Sequence, residues 1–93
     1  MRLNQNEAQV TRIDKLYARL LANPRAQFAF RDLEKLLLAF GFQQDRTSGS
    51  HRIWVHPKVP RPFPVQPTGK DAKAYQVREF LELIEEHGLY IER

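Results

Sequence analysis

The chain of 93 residues contains no cysteine, so neither a disulfide framework nor a thiolate metal site can form within it. It also has no apolar run near the roughly 20 residues that span a bilayer. Residues 1–7 lack the apolar core of a secretory signal peptide. These absences predict a soluble, cytoplasmic protein without membrane association.

Acidic side chains are scarce in the middle of the chain. The net charge is +4, and residues 45–73 carry six basic and two acidic side chains, whereas residues 74–93 carry two basic and five acidic ones. Basic patches often serve only solubility, so charge alone is weak support for nucleic-acid binding. The hydrophobic fraction of 42% is typical of folded proteins, and the length predicts one domain, residues 1–93.

Three segments repeat apolar residues at helical spacing. They predict helices over Asn6–Leu21, Arg31–Phe40 and Lys73–His87. Proline disfavours helical geometry in the residue before it, so Asn23-Pro24 ends the first helix. Gly41 and Gly88 are the stops expected after the other two. The apolar stripe of the first helix comprises Val10, Ile13, Tyr17, Leu20 and Leu21.

Three short strands are predicted between the second and third helices. They span Phe42–Thr47, Ser50–His56 and Phe63–Gln66. Ser48-Gly49 can form a tight hairpin, since glycine supplies the positive φ that such turns need. Prolines surround the third strand and cannot donate to a ladder, so this strand should lie at an edge or pair only partly. The order of elements predicts an α+β fold, with helices on one face of a small antiparallel sheet.

His51 is the candidate for proton transfer. Histidine has an unperturbed pKa of about 6.5, which suits proton transfer near neutral pH. In a regular strand His51 shares a face with Ile53 and Val55, so we expect it at the start of the apolar face, partly buried and with a lowered pKa. The alternative is a histidine that only bonds to a backbone carbonyl. Its basic neighbours favour chemistry on a phosphodiester, RNA foremost: Arg46, Arg52, Lys58, Arg61, Lys70 and Lys73.

Two further pairs of residues are candidates for binding. Lys70 and Lys73 flank the predicted start of the last helix, where free N–H groups and the helix dipole favour a phosphate. The alternative interpretation is that both are solvated loop lysines without a ligand. Arg52 and Trp54 are expected on the outward face of the sheet, where tryptophan can stack on a base or anchor a partner. Alternatively, the first helix or the proline-rich loop covers Trp54.

The other two histidines do not form a metal site in this interpretation. A straight strand points His51 and His56 to opposite faces, so they cannot share a ligand. His87 falls in the last turn of a helix, where a cation suits the dipole. Neither a metal nor another cofactor is expected.

Several short motifs together resemble the HicA toxin family, the small RNA-cleaving toxins of bacterial HicA–HicB modules. They are Arg31-Asp32-Leu33, Gly41-Phe42, Arg46, Gly49-Ser50-His51 and Gly88-Leu89, within a stretch from about Phe30 to Leu89. The resemblance implies a fold similar to a double-stranded-RNA-binding domain over residues 28–91, with residues 1–24 as an N-terminal helical extension. It also implies that His51 is the single catalytic histidine. Many members have a second histidine after the third strand, where this chain has Gln66.

The resemblance implies a toxin: a metal-independent endoribonuclease that cleaves mRNA and is inhibited by a HicB-like antitoxin. The runner-up is a non-catalytic RNA-binding module of the same fold, which recognises shape and phosphates. A third alternative is a degenerate toxin retained only for protein contacts. The residues expected to bind single-stranded RNA or its phosphates are Arg46, Ser50, Arg52, Lys70 and Lys73.

Overall fold

The computed structural model describes the backbone of residues 5–92 and the side chains of residues 12–92. In this range the elements are α1 (Gln5–Ala22), α2 (Phe30–Ala39), β1 (Gln43–Ser48), β2 (His51–His56), β3 (Val59–Val65), β4 (Pro67–Thr68), β5 (Asp71–Ala72) and α3 (Ala74–His87). The predicted α+β fold with a three-stranded antiparallel sheet and an N-terminal helix is confirmed. The short β4–β5 ribbon was not predicted. No helix in the described range is both long and apolar enough to cross a membrane.

The main sheet has the order β1-β2-β3, and all pairs are antiparallel. Gly49, with φ 60, is the first of the two central residues of the β1–β2 turn, as in a type II′ turn. β3 lies at an edge, as predicted, but it begins at Val59 rather than at Phe63. Its prolines stand at alternate positions, 60, 62 and 64. Alternate residues of a strand direct their backbone N–H groups to the same side, so the N–H groups that these prolines lack would all lie on one side. An edge strand has one side without a neighbouring strand, and on that side no N–H donor is needed.

The helices cover one face of the sheet, here called the inner face. Arg52, Trp54 and His56 of β2 point to it, and Trp54 and His56 are only 2% and 7% exposed. Their alternation partners His51 and Val55 point to the opposite, outer face. The sequence-based assignment of the two faces of β2 is therefore wrong. The reason is packing: the β3 partners of the inner residues, Val65, Phe63 and Val59, are all buried.

The core lies between the inner face and the three helices. Phe40 meets Phe80 edge-on at 5.6 Å between ring centroids, and Phe42 lies 6.3 Å from Phe80. Tyr17 of α1 packs edge-on against Phe40 at 5.0 Å, so the N-terminal helix belongs to the same core. Leu21 is 51% exposed, so its predicted place on the apolar stripe is wrong. The side chain of Val10 lies outside the described residues.

Candidate functional site

His51 begins β2 on the outer face, beside the β1–β2 turn. It stands directly opposite Ser48 of β1, and its side chain is exposed. The predicted partial burial of His51 is wrong, because the helices pack on the other face of the sheet. The outer position leaves the imidazole open to a polymer that lies across the sheet. Ser50, in the turn that precedes it, is exposed as well.

Arg46 reaches the outer face because of a bulge in β1. The register shifts between Gln44 and Arg46, so that Arg46 pairs with Ile53 instead of Arg52. Directly opposed residues share a face, and a slip of one residue exchanges the faces. The bulge therefore puts Arg46 on the His51 side. The Arg46 guanidinium contacts the carboxylate of Asp45 at 2.7 Å, but both groups are exposed, and such pairs contribute little.

Arg52 and Trp54 do not share the outward face as predicted. Trp54 is part of the core, so stacking of this side chain on a base is ruled out in this conformation. The Arg52 guanidinium donates from Nη1 to both oxygens of Glu34 on α2, at 2.7 and 2.8 Å. It also lies 5.2 Å from the centroid of the Phe30 ring. These contacts direct Arg52 along the inner face towards the start of α2.

A cavity of about 640 Å³ opens at the start of α2. Its wall contains two of the predicted phosphate-binding residues, Arg52 and Lys70, and adds Arg31 and Glu34. We call it the α2 cavity. The wall carries three cations, Arg31, Arg52 and Lys70, and the carboxylates of Glu34 and Asp71, so its net charge of +1 favours an anion. Of the predicted phosphate-binding residues in this wall, Arg52 comes from β2 and Lys70 comes from the β4–β5 turn.

The β4–β5 ribbon explains why Lys70 lies at α2. Phe30 donates its N–H to the carbonyl of Lys70 at 2.9 Å, and Ala72 donates to the carbonyl of Phe28 at 2.8 Å. These bonds attach the ribbon to the segment that enters α2. Lys73 stands instead at the N-cap of α3 and is not part of the cavity wall. The structure thus separates the two lysines that sequence spacing had grouped at one helix start.

His56 is held inside the fold. Its Nδ1 accepts the N–H of Lys58 at 3.0 Å, which leaves Nε2 to donate to the carbonyl of Phe40 at 2.9 Å. Both ring nitrogens of the neutral imidazole are thus satisfied, and His56 has a structural role. His87 contacts Glu86 at 3.2 Å in the last turn of α3. Among the described side chains, no three His, Cys, Asp or Glu residues gather as they would around a metal ion.

Arg31 and Glu34 are the site residues that sequence reasoning missed. They lie three residues apart on α2, a spacing that places both on one side of a helix. Arg31 belongs to the Arg31-Asp32-Leu33 motif of the family resemblance, and this motif could have indicated Arg31 as a site residue. Glu34 had none, because its partner Arg52 comes from a strand 18 residues away.

Comparison with protein families matches residues 30–92 to a family described as HicA toxin of bacterial toxin-antitoxin. The matched range begins with α2 and includes the sheet, α3, His51 and every residue of the α2 cavity wall except Ala29. Helix α1 lies outside it. Comparisons with curated proteins and with solved structures gave no match.

Proposed function

The chain belongs to the HicA toxin family of bacterial toxin–antitoxin systems, and on this basis we propose that it is an endoribonuclease that cleaves mRNA with His51 as its proton-transfer residue. The observation that carries the proposal is the position of His51. It is an exposed histidine on the outer face of the sheet, opposite the helices, and the bulge turns Arg46 to the same face. His56 is unsuited to this role because the fold uses both of its ring nitrogens.

The proposed reaction uses the RNA's own 2′-hydroxyl as nucleophile. His51 accepts the hydroxyl proton as the O2′–P bond forms, and the P–O5′ bond breaks to give a 2′,3′-cyclic phosphate and a 5′-hydroxyl. The departing 5′-oxygen takes its proton from water. With one histidine for two proton transfers, we expect slow turnover. This chemistry does not require a metal ion.

Two sets of cations support binding of the RNA backbone. Arg46 shares the outer face with His51, where it can stabilise charge on the reacting phosphate. Arg52 follows His51 in the chain but points to the other face, into the α2 cavity with Lys70. An RNA strand that passes around the start of β2 therefore meets His51 first and the cavity next. Phosphate contacts of this kind position an RNA without reading its sequence.

Purified chain incubated with an mRNA fragment and a metal chelator is expected to cleave at an undiminished rate. The products should carry 2′,3′-cyclic phosphate and 5′-hydroxyl ends, because the nucleophile is internal to the RNA. End-group analysis of the fragments measures this. A parallel preparation of His51→Ala controls for a contaminating ribonuclease. Fragments with 5′-phosphate ends, or activity lost with the chelator, would contradict the mechanism; RNA bound but left intact would favour the non-catalytic module.

Membership of a toxin–antitoxin family implies an antitoxin partner. We propose that the partner is HicB-like and inhibits by covering the outer face at His51. The cations that would attract RNA also attract an acidic protein surface, and complementary charge speeds association. Burial of His51 and Arg46 under a partner would exclude RNA without any distortion of the toxin.

Titration of the antitoxin into a complex of the chain with uncleavable RNA is expected to release the RNA. The affinity of the antitoxin for the toxin should fall as salt rises, because exposed charges are screened. Fluorescence anisotropy of labelled RNA, followed at several salt concentrations, measures both effects. A stable ternary complex would place the inhibitory contact elsewhere on the toxin.

A further inference from the structure

A second concave surface lies between α1 and α2. It encloses about 440 Å³ and is lined by Arg12, Ile13, Leu16, Arg19, Asp32 and Lys35. We call it the α1–α2 groove. Its α1 side lies outside the range that matches the toxin family, so it is a feature of this chain's N-terminal helix. Three cations face one carboxylate there, a net charge of +2.

The charges of the groove are arranged around Asp32. Its carboxylate lies 3.4 Å from Nη2 of Arg19 and 3.9 Å from Nζ of Lys35. The side chains of Arg19 and Lys35 remain 65% and 61% exposed, so these ion pairs contribute little to folding. The single carboxylate of Asp32 pairs with both Arg19 and Lys35, so it neutralises only part of their charge. The remaining positive charge can attract an anion from solution.

The groove and the α2 cavity lie on neighbouring sides of the first turns of α2. Arg31 and Glu34 line the cavity, whereas Asp32 and Lys35 line the groove. Arg31 and Lys35 are both exposed and stand one helical turn apart, about 6 Å along the axis. Positive side chains thus follow one another from Lys70 in the cavity, over α2, to the groove.

We propose that the α1–α2 groove binds the phosphate backbone of single-stranded RNA beyond the cleavage site. The inference rests on the proposed ribonuclease function and extends its footprint onto the N-terminal helix. RNA is favoured over an acidic protein for two reasons. The groove continues the cationic path from the α2 cavity, and its apolar floor is limited to Ile13 and Leu16, both partly buried against the core.

The test uses the full chain with His51→Ala, so that RNA stays intact, and oligonucleotides of about 4 and about 12 nucleotides, within the range of single-strand site sizes. The double variant Arg12→Gln with Lys35→Gln leaves the Arg19–Asp32 pair in place. We expect it to weaken binding of the long RNA and to lower its salt slope by about 1.4, or about 0.7 for each lost phosphate contact. Binding of the short RNA should not change.

Two matched variants sharpen the test. Arg25→Gln with Arg78→Gln removes the same charge from exposed positions outside both the groove and the cavity, and should leave the long RNA bound as in the parent. Asp32→Asn raises the charge of the groove and should tighten binding of the long RNA. Thermal unfolding of each variant verifies the fold.

Three results would overturn the inference. The first is equal binding of long RNA by the groove and control variants, with equal salt slopes. The second is a groove variant that loses affinity for the antitoxin but not for long RNA, which would make the groove a protein-binding surface. The third is a parent chain that binds neither the short nor the long RNA, which would overturn the ribonuclease proposal itself. The short RNA distinguishes this failure from a failure of the groove, because the short RNA is expected to bind without contacting the groove.

Discussion

His51→Ala is expected to slow RNA cleavage by about 10²–10⁴-fold, the usual contribution of a general acid or base. It should also abolish growth inhibition on induced expression. The side chain is exposed, so its loss should change neither the fold nor the affinity for RNA. Single-turnover cleavage, RNA binding and growth after induction, measured together, separate the loss of chemistry from the loss of protein.

His56→Ala provides the contrasting control. It removes a buried imidazole with two hydrogen bonds and leaves the Phe40 carbonyl without its donor. We expect it to lower the free energy of unfolding by about 3 kcal/mol, with cleavage retained by the protein that remains folded. A His51→Ala protein that cuts RNA at the wild-type rate, or that unfolds as His56→Ala is expected to, would show that His51 is not the catalyst.

The second large effect is expected in the substrate. An RNA with a single 2′-deoxyribose on the 5′ side of the cleaved phosphate should resist cleavage at that bond completely, because the nucleophile is gone. Its affinity should hardly change, since the phosphates that Arg46 and the α2 cavity are proposed to bind are still present. Mapping with all-RNA first identifies the cleaved bond, and gel analysis of the substituted oligonucleotide then gives the rate.

The same oligonucleotide with the deoxyribose moved one position along is the control, and it should be cut normally. Scission at the deoxy-substituted bond would mean that water attacks the phosphorus. In that case His51 would activate water rather than the 2′-hydroxyl, and the cyclic phosphate would not form. The two substrates therefore test the identity of the nucleophile independently of any change in the protein.

Predictions that depended on local chain chemistry were confirmed. Gly49 forms the hairpin turn with positive φ, and Gly88 ends α3 in the left-handed conformation. The edge position of β3 followed from its prolines, since a missing donor excludes a central strand. The family resemblance, which included the Gly49-Ser50-His51 motif, was confirmed by the match over residues 30–92. Each of these features is determined by neighbours in the chain.

The two faces of β2 were not readable from the strand itself. Alternate residues of β2 point to opposite faces of the sheet, and each face has residues that can be buried. One face has Ile53 and Val55, and the other has Trp54 and His56. The choice depends on which set meets the helices. In the folded chain Phe63 and Val65 of β3 complete the side of Trp54, so His51 is placed outside.

The sequence by itself determined the three helices, the three strands of the main sheet, their order, the turn before His51 and the family of the chain. Tertiary structure alone decided how the site is assembled. A bulge turns Arg46 to the face of His51, and two backbone hydrogen bonds attach the β4–β5 ribbon to the start of α2, where Lys70 meets Arg52. The physical reason is that register and docking depend on contacts between residues far apart in the chain, and these contacts are selected by burial of the whole core.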